Sequence, residues 1–584
     1  MYIKYSLIVL IPFLLLTTGC DTTEQDRSKE YKTVFEKSEG TETATYPEVI
    51  DFYMELAANF PEINVQTFGM TDSGEPLHLV TFNPDGEFNY RKIREDKAIL
   101  LINNGIHPGE SDGIDACMLL FRDLVKGVIE PPQHTVVATI PVYNVGGALN
   151  RNSSSRANQN GPASYGFRGN ARNYDLNRDF IKADTENARS FHKLSRMVDP
   201  DFFVDTHVSN GADYQYTLTY LATLEERLSP ELGYYLQQEF LPNIMESVRL
   251  EGWDVTPYVN VFGRSPDTGF SQFYDSPRYS TGYMSLWNTP GIMIETHMLK
   301  PYPRRVEGTY VMLLELIRGV DSDYTRLREL RKRAFEQDEI KEFYANTYVL
   351  DSNSIARLNF EGYQAYQKAS AIGNFRYLAF DTLRPYNKQI PYFNRFVPID
   401  SIRIPEGYIL PAPWDEVRER LLDNGIEMKA FDKDTTIFAE VYRISDYQTY
   451  NSPYEGHYPH RNTQVEPRLD SIRLRKGDYY IPSRQPGMRY LIETLEPSCL
   501  DSFFNWNFFD AILQRKEGYS TYVFDEEAGR LLAENPELRR QYEEAVESDP
   551  RLARSYRARL QWIYERSPYA EKAYLQYPVY RVMR

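Results

Sequence analysis

Apolar positions in the first half of the chain follow two periods. Val49, Phe52, Leu56 and Phe60 fall at helical spacing, and Pro61 ends that helix. Two short β-type runs follow at 63–68 and 77–82, with Asp72-Ser73-Gly74 as the turn between them. Continuous apolar runs of strand length occupy 98–102 and 135–142, with a helical pattern at 113–125 between them. Further strands are predicted at 202–205, 214–221 and 291–294, and further helices at 229–248 and 306–317. Strands that alternate with helices in this way predict an α/β layer fold.

The pattern changes near Asp321. A charged helix is expected from 324 to 343, then β-type and turn residues from about 348 to 524, then helix again from 530 to 565, broken near Asp549-Pro550. The expected division is therefore 46–320 as an α/β unit, 321–347 as a helical connector, and 348–584 as an accessory α+β domain with β-structure and terminal helices. Residues 21–45 are polar and read as a tether.

The N-terminus reads as an address. Lys4 precedes an apolar run at 7–16 and then Thr17-Thr18-Gly19-Cys20. The run is too short to span a bilayer, which takes about 20 apolar residues. A basic start, a short apolar core and small residues before a cysteine resemble a bacterial lipoprotein signal. Residues 1–20 are then a signal peptide, Cys20 the lipidated residue, and the mature chain an exported protein held at the cell envelope on its periplasmic or surface face. Membrane contact is expected through that lipid only. With 66 Lys and Arg against 83 Asp and Glu, the net charge of −17 argues against nucleic-acid binding and against broad adhesion to anionic membranes. Three cysteines do not make a disulfide scaffold, and Cys117 and Cys499 are expected as free thiols.

Candidate chemistry gathers at strand ends. The run at 98–102 opens into Asn103-Asn104-Gly105-Ile106-His107-Pro108-Gly109-Glu110, which sets His107 and Glu110 three apart after a Gly/Pro turn. The strand at 202–205 leads into His207. Ligands of α/β sheets collect at the carboxyl ends of strands. Two His and one Glu are three protein ligands, the number a catalytic Zn²⁺ site uses when it keeps a fourth position open. Glu295 follows the strand at 291–294, where a carboxylate needs a partner or a task, and a base for a zinc-activated water is such a task. Between these elements, 168–178 holds Arg168, Arg172 and Arg178 with three Asn. Guanidinium forks suit a substrate carboxylate and a developing oxyanion.

The order H-x-x-E, D-L-N-R (175–178), strand-end His and strand-end Glu resembles the zinc carboxypeptidase family of the carboxypeptidase A type, over about 46–320. The C-terminal arrangement is similar to large bacterial exported members of that family. The resemblance implies a mixed central sheet flanked by helices and one Zn²⁺ per chain, held by His107, Glu110 and His207. It implies Glu295 as general base and acid, Asn177 and Arg178 on the substrate's terminal carboxylate, and Asp175 orienting a metal-binding His. It further implies Arg168 polarising the scissile carbonyl, with Arg172 as its neighbouring alternative. A substrate-capping Tyr is expected among Tyr274, Tyr279 and Tyr283, and Tyr283 is taken. The expected function is removal of C-terminal residues from peptides with a free carboxylate outside the cytoplasm. The alternatives are a zinc amidase or deacylase acting on cell-wall stem peptides or N-acyl amino acids, and an inactive anchored peptide-binding protein.

Overall fold

The computed structural model describes residues 29–583. The expected signal sequence 1–20, its Cys20 and residues 21–28 of the expected tether lie outside the described residues.

Strands β1 (Ile63–Met70), β2 (Pro76–Phe82), β3 (Ala98–Asn103), β4 (Thr135–Ile140), β5 (Phe202–Ser209), β6 (Leu218–Ala222), β7 (Val255–Pro257), β8 (Phe270–Ser271) and β9 (Gly291–His297) come from the first half. All but β8 form one eight-stranded sheet in the order β1-β2-β4-β3-β5-β9-β6-β7. β4, β3, β5 and β9 run parallel. β1 pairs antiparallel with β2, β2 with β4 and β6 with β9, while β6 and β7 run parallel, so the sheet is mixed. Because β3, β5 and β9 are parallel neighbours, their carboxyl ends share one edge, and that edge carries the candidate residues.

The central strands β3, β4, β5 and β9 are buried on both faces, which explains their unbroken apolar runs. Alternate residues feed different cores. Leu100, Ile102, Val137, Val204, Ile292 and Ile294 join helices Tyr46–Asn59, Asp112–Lys126 and Tyr302–Ser322. Ile99, Leu101, Val136, Ala138 and Phe203 join helix Glu186–Val198 on the opposite face. Each fully buried Leu or Ile contributes roughly 1.5–3 kcal/mol, so an Asp at Leu101 would break the sheet at its centre.

Helix Asp112–Lys126 begins with Asp112 and Asp115, ends with Lys126, and stops at Gly127 with φ 67°. Its second residue must be glycine. A Cβ on Gly113 would lie 2.0 Å from Thr206 Oγ1 and 2.6 Å from Asn104 Oδ1. The close approach fixes the helix start against β3 and β5, and so places the turn that carries His107 and Glu110.

Residues 29–45 correct the tether expectation. Thr33 caps a short helix, Val34–Lys37, through a capping box. Tyr31 and Ala44 are buried in the core, and Tyr31 lies 5.6 Å from Phe60 by ring centroids. Glu36 accepts from Arg122 Nη1 at 2.6 Å. The aromatic and aliphatic residues scattered among the polar ones dock this segment onto the α/β unit.

The C-terminal half is β-rich. The charged helix spans Tyr324–Ile340, and strand begins at Phe343. A long hairpin, Ala356–Ala369 with Arg376–Phe393, pairs with β8. A six-stranded sheet is built from Gly407–Leu410, Lys429–Ala430, Thr435–Thr449, His460–Leu474, Tyr479–Pro482 and Tyr580–Val582. Its Tyr408 and Leu410, with Leu421, Tyr490 and Phe503, share one apolar core with Ile99, Leu101 and Phe191. The half expected as an accessory domain therefore covers one face of the first sheet. Among the described residues no helix is long and apolar enough to cross a membrane.

Candidate active site

His107 and Glu110 sit on the turn after β3, His207 lies in the last residues of β5, and Glu295 lies opposite it on β9, with His207 and Glu295 paired across the ladder. His107, Glu110 and His207 are all buried, and each offers a ligand atom within 4.8 Å of the others. His107 Nδ1 is 3.3 Å and His207 Nδ1 is 3.0 Å from Glu110 Oε2. The far ring nitrogens are held by carboxylates. His107 Nε2 lies 3.0 Å from Asp175 Oδ1, and His207 Nε2 lies 3.0 Å from Asp205 Oδ2. Ser280 Oγ donates to the same Asp205 oxygen at 2.5 Å. A carboxylate behind each imidazole leaves Nδ1 as the metal-facing atom, the arrangement histidine ligands use. Two imidazoles and one carboxylate fit Zn²⁺ by donor chemistry.

The electrostatics follow from burial and pairing. Burial alone would raise the Glu110 carboxyl, but His107 and Arg156 outweigh it and hold it well below the ordinary range. Burial disfavours charge on His207, yet Asp205 and Glu110 hold its pKa well above the usual value. Burial also works against charge on Asp175, and His107 with Arg168 and Arg178 outweighs it, keeping that carboxyl ionised. Glu295 behaves differently. Burial pushes its carboxyl up to about 8 against the pull of His207, with Glu110 and Asp205 adding to the rise.

A cavity of 630 Å³ opens over this cluster. It brings together His107, Glu110, His207, Glu295, Arg168, Asn177 and Arg178. Arg168 binds Asp175 Oδ2 through Nη2 at 2.8 Å and lies 3.4 Å from His107 Nδ1. Asn177 Oδ1 accepts from the Ser280 N–H at 3.3 Å. Arg178 lies over the Tyr279 ring at 4.6 Å. The Asp175 N–H donates to Glu455 Oε2 at 2.8 Å, so the C-terminal half reaches the D-L-N-R segment directly.

Two expected residues are not part of the cavity. Tyr283 is fully buried, donates to Asn424 Oδ1 at 2.5 Å and stacks on His192 at 4.9 Å. Its helix, Ser280–Ser285, turns it into the core of the opposite face, whereas Tyr279, just before that helix, lines the cavity. Arg172 is likewise outside it. That side chain bonds Asp184 O at 3.1 Å and lies 3.6 Å from Asp72. Sequence reasoning also missed residues. Asp205 precedes His207 by two on one strand, which puts both on one face; D-x-H at a strand end was the available signal. Tyr258 and Arg156 also line the cavity, and neither carries a local signal.

Residues 49–220 match the family model of zinc carboxypeptidases, Peptidase_M14. That span includes His107, Glu110, Asp175 and His207 and stops before Glu295. No curated protein matches the chain. Among solved structures, the chain is similar to a metallo-carboxypeptidase from Burkholderia cenocepacia, at 16% identity over 46% of this chain and 68% of that one, with a TM-score of 0.35. It is similar to carboxypeptidase A from Helicoverpa armigera, at 14% identity over 52% and 78%, with a TM-score of 0.36. A metallo-carboxypeptidase from Pseudomonas aeruginosa in complex with (2-guanidinoethylmercapto)succinic acid matches at 14% identity over 48% and 69%, with a TM-score of 0.34. The family match and the buried His-Glu-His group together support a metallopeptidase.

Proposed function

We propose that the protein is a zinc metallocarboxypeptidase that hydrolyses the C-terminal bond of peptides with a free carboxylate. The observation that carries this is a single cavity holding a buried His107-Glu110-His207 cluster, the buried Glu295 and the Asn177–Arg178 pair. His107, Glu110 and His207 would hold the metal, with Asp175 and Asp205 fixing the two imidazoles. When bound, Zn²⁺ supplies a Lewis acid and lowers the pKa of water. Glu295 takes the proton of the attacking water and returns it to the leaving amine, the two-way transfer that one positioned carboxyl can perform. Arg168 donates to the carbonyl oxygen as charge builds on it. Arg178 and Asn177 grip the terminal carboxylate, and the Tyr279 ring backs the guanidinium.

The test uses purified chain lacking residues 1–20. Bound zinc is quantified, and peptides with free and amidated C-termini are followed by mass spectrometry. Loss of single C-terminal residues from free-carboxylate peptides only, abolished by chelator, is expected. Bound zinc with no cleavage of either set overturns the assignment. The apolar run at 7–16 and Cys20 support export and lipid anchoring in a bacterial envelope. Labelled palmitate should enter the full-length chain and not Cys20→Ser, and an unlabelled full-length chain overturns the anchor.

A further inference from the structure

Three arginines line the cavity, and two have roles in the proposed reaction. Arg156 is the third. It belongs to the loop 155–159, every residue of which lines the cavity. Its stem lies on Gly109, where an added Cβ would come within 2.6 Å of Arg156 Cδ. Its Nε donates to Gln159 Oε1 at 2.5 Å and its Nη2 to Glu110 Oε1 at 2.9 Å. Gln159 is itself tied to the Gly109 and Gly161 carbonyls at 2.7 and 3.0 Å. The guanidinium is thus held in place before any substrate arrives. It carries five N–H groups, and two side-chain bonds leave most of them for a ligand.

The order of charges places this arginine relative to the scissile bond. Arg178 lies 4.0 Å from Asp175 Oδ2. Arg168 bridges that carboxylate, at 2.8 Å, to Glu110 Oε1, at 3.6 Å. Arg156 pairs with the same Glu110 oxygen at 2.9 Å. The string runs Arg178, Asp175, Arg168, Glu110, Arg156. With the terminal carboxylate on Arg178 and the carbonyl at Arg168, Arg156 stands at the acyl side. Among the described residues, the only carboxylates lining the cavity are Glu110 and Glu295, both engaged in the reaction. A cation on the acyl side would meet the Arg156 guanidinium with no carboxylate beyond Glu110 and Glu295 to receive it, and an anion there gains a charge-assisted fork.

We propose that the protein prefers peptides with Asp or Glu immediately before the C-terminal residue, and that Arg156 is the specificity-determining residue. The proposal rests on the carboxypeptidase assignment. Its test is a peptide panel that varies Glu, Ala and Lys independently at the last two positions, with zinc-loaded wild type, Arg156→Ala and Arg156→Lys. In wild type, kcat/KM for Glu over Lys at the penultimate position should be about 10- to 100-fold. In Arg156→Ala the ratio should fall to within roughly threefold of unity, whatever happens to overall rate, and Arg156→Lys should restore part of it. Equal loss on all peptides, with the ratio kept, would mean that Arg156 only steadies Glu110, and the proposal falls. A charge preference at the last position instead also overturns it. Cleavage without charge preference defeats this proposal alone, whereas no cleavage anywhere in the panel defeats the carboxypeptidase assignment and this one with it.

Discussion

The two ends of the cavity are held by different parts of the chain. At the metal end, His107, Glu110 and His207 are braced by Asp175, Asp205, Arg156 and Arg168, all within the α/β unit. At the carboxylate end, the segments that bear Arg178 and Tyr279 are clamped from the C-terminal half. Glu455 takes the Asp175 N–H, His457 pairs with Asp184 at 2.7 Å, and Asp501 takes Arg278 at 2.7 Å. Gly456 at φ 78° lies against Tyr174, whose hydroxyl would be 2.6 Å from a Cβ there. Under the proposed function, the difference separates chemistry from substrate grip. Among the described residues, the metal end is built at one sheet edge and meets the C-terminal half only through Asp175, whereas the carboxylate end is held by several contacts between the two halves of the chain.

The largest effects should come from the metal end. His207→Ala should lose both zinc and turnover. Glu295→Gln should keep zinc and lose roughly 10²–10⁴-fold in kcat, the usual worth of a general acid–base. Zinc content and single-turnover rates measure both, and full activity in Glu295→Gln removes that residue from the mechanism. At the other end, Arg178→Ala should raise KM and cost about 10²-fold in kcat/KM, because a charge-assisted fork is lost while zinc stays bound. Zinc loss in this variant would erase the distinction between the ends.

Glu455→Ala probes whether the C-terminal half belongs to the carboxylate end. It leaves the Asp175 N–H without its acceptor, at a cost of about 1 kcal/mol or fivefold in kcat/KM. The loss should appear in KM, and Glu455→Gln, which keeps an acceptor, should recover most of it. An equal fall in kcat for both variants would place Glu455 with the metal end.

The same contrast decides how much was legible in sequence. The strands at 98–103, 135–140 and 202–209 announced themselves because burial on both faces demands unbroken apolar runs. A His or Glu at the end of such a run is a local signal, and so His107, His207 and Glu295 could be singled out. Asp175 and Arg178 lay in a short Arg/Asn cluster and could be found by composition. Glu455, by contrast, reaches Asp175 across 280 residues. No periodicity marks a contact of that separation. The choice among the tyrosines was illegible for a related reason: three within ten residues share the same chemistry, and only the turn into helix Ser280–Ser285 sets Tyr279 at the cavity and Tyr283 in the core.

The segment that carries Tyr279 has its own pH signature. Burial pushes the Asp275 carboxyl up to about 7, with Thr281 Oγ1 donating to it at 2.8 Å. An unfolded Asp titrates near ~3.9. The unfolded chain therefore releases this proton first as pH rises. Stability from this group is intact below pH ~4, falls between pH ~4 and ~7, and is fully lost above that, by on the order of 4 kcal/mol. Asp275→Asn removes the slope. Unfolding midpoints of the two proteins should diverge across this window in favour of the variant, and parallel midpoints would mean that Asp275 is already ionised in the fold.

The smallest effect separates two tyrosines. Tyr283→Phe removes one buried hydrogen bond and leaves Asn424 Oδ1 without its donor, which should cost about 1–2 kcal/mol of stability. Because Tyr283 packs against Phe180, Phe191 and Tyr490 in the core, kcat and KM should stay at wild-type values. Tyr279→Ala should do the reverse, since that ring lies under Arg178 at 4.6 Å and lines the cavity: KM rises severalfold while the core is untouched. If Tyr283→Phe raised KM instead, the ring would have to leave its core site when substrate binds, and the carboxylate end would be a moving part rather than a packed one.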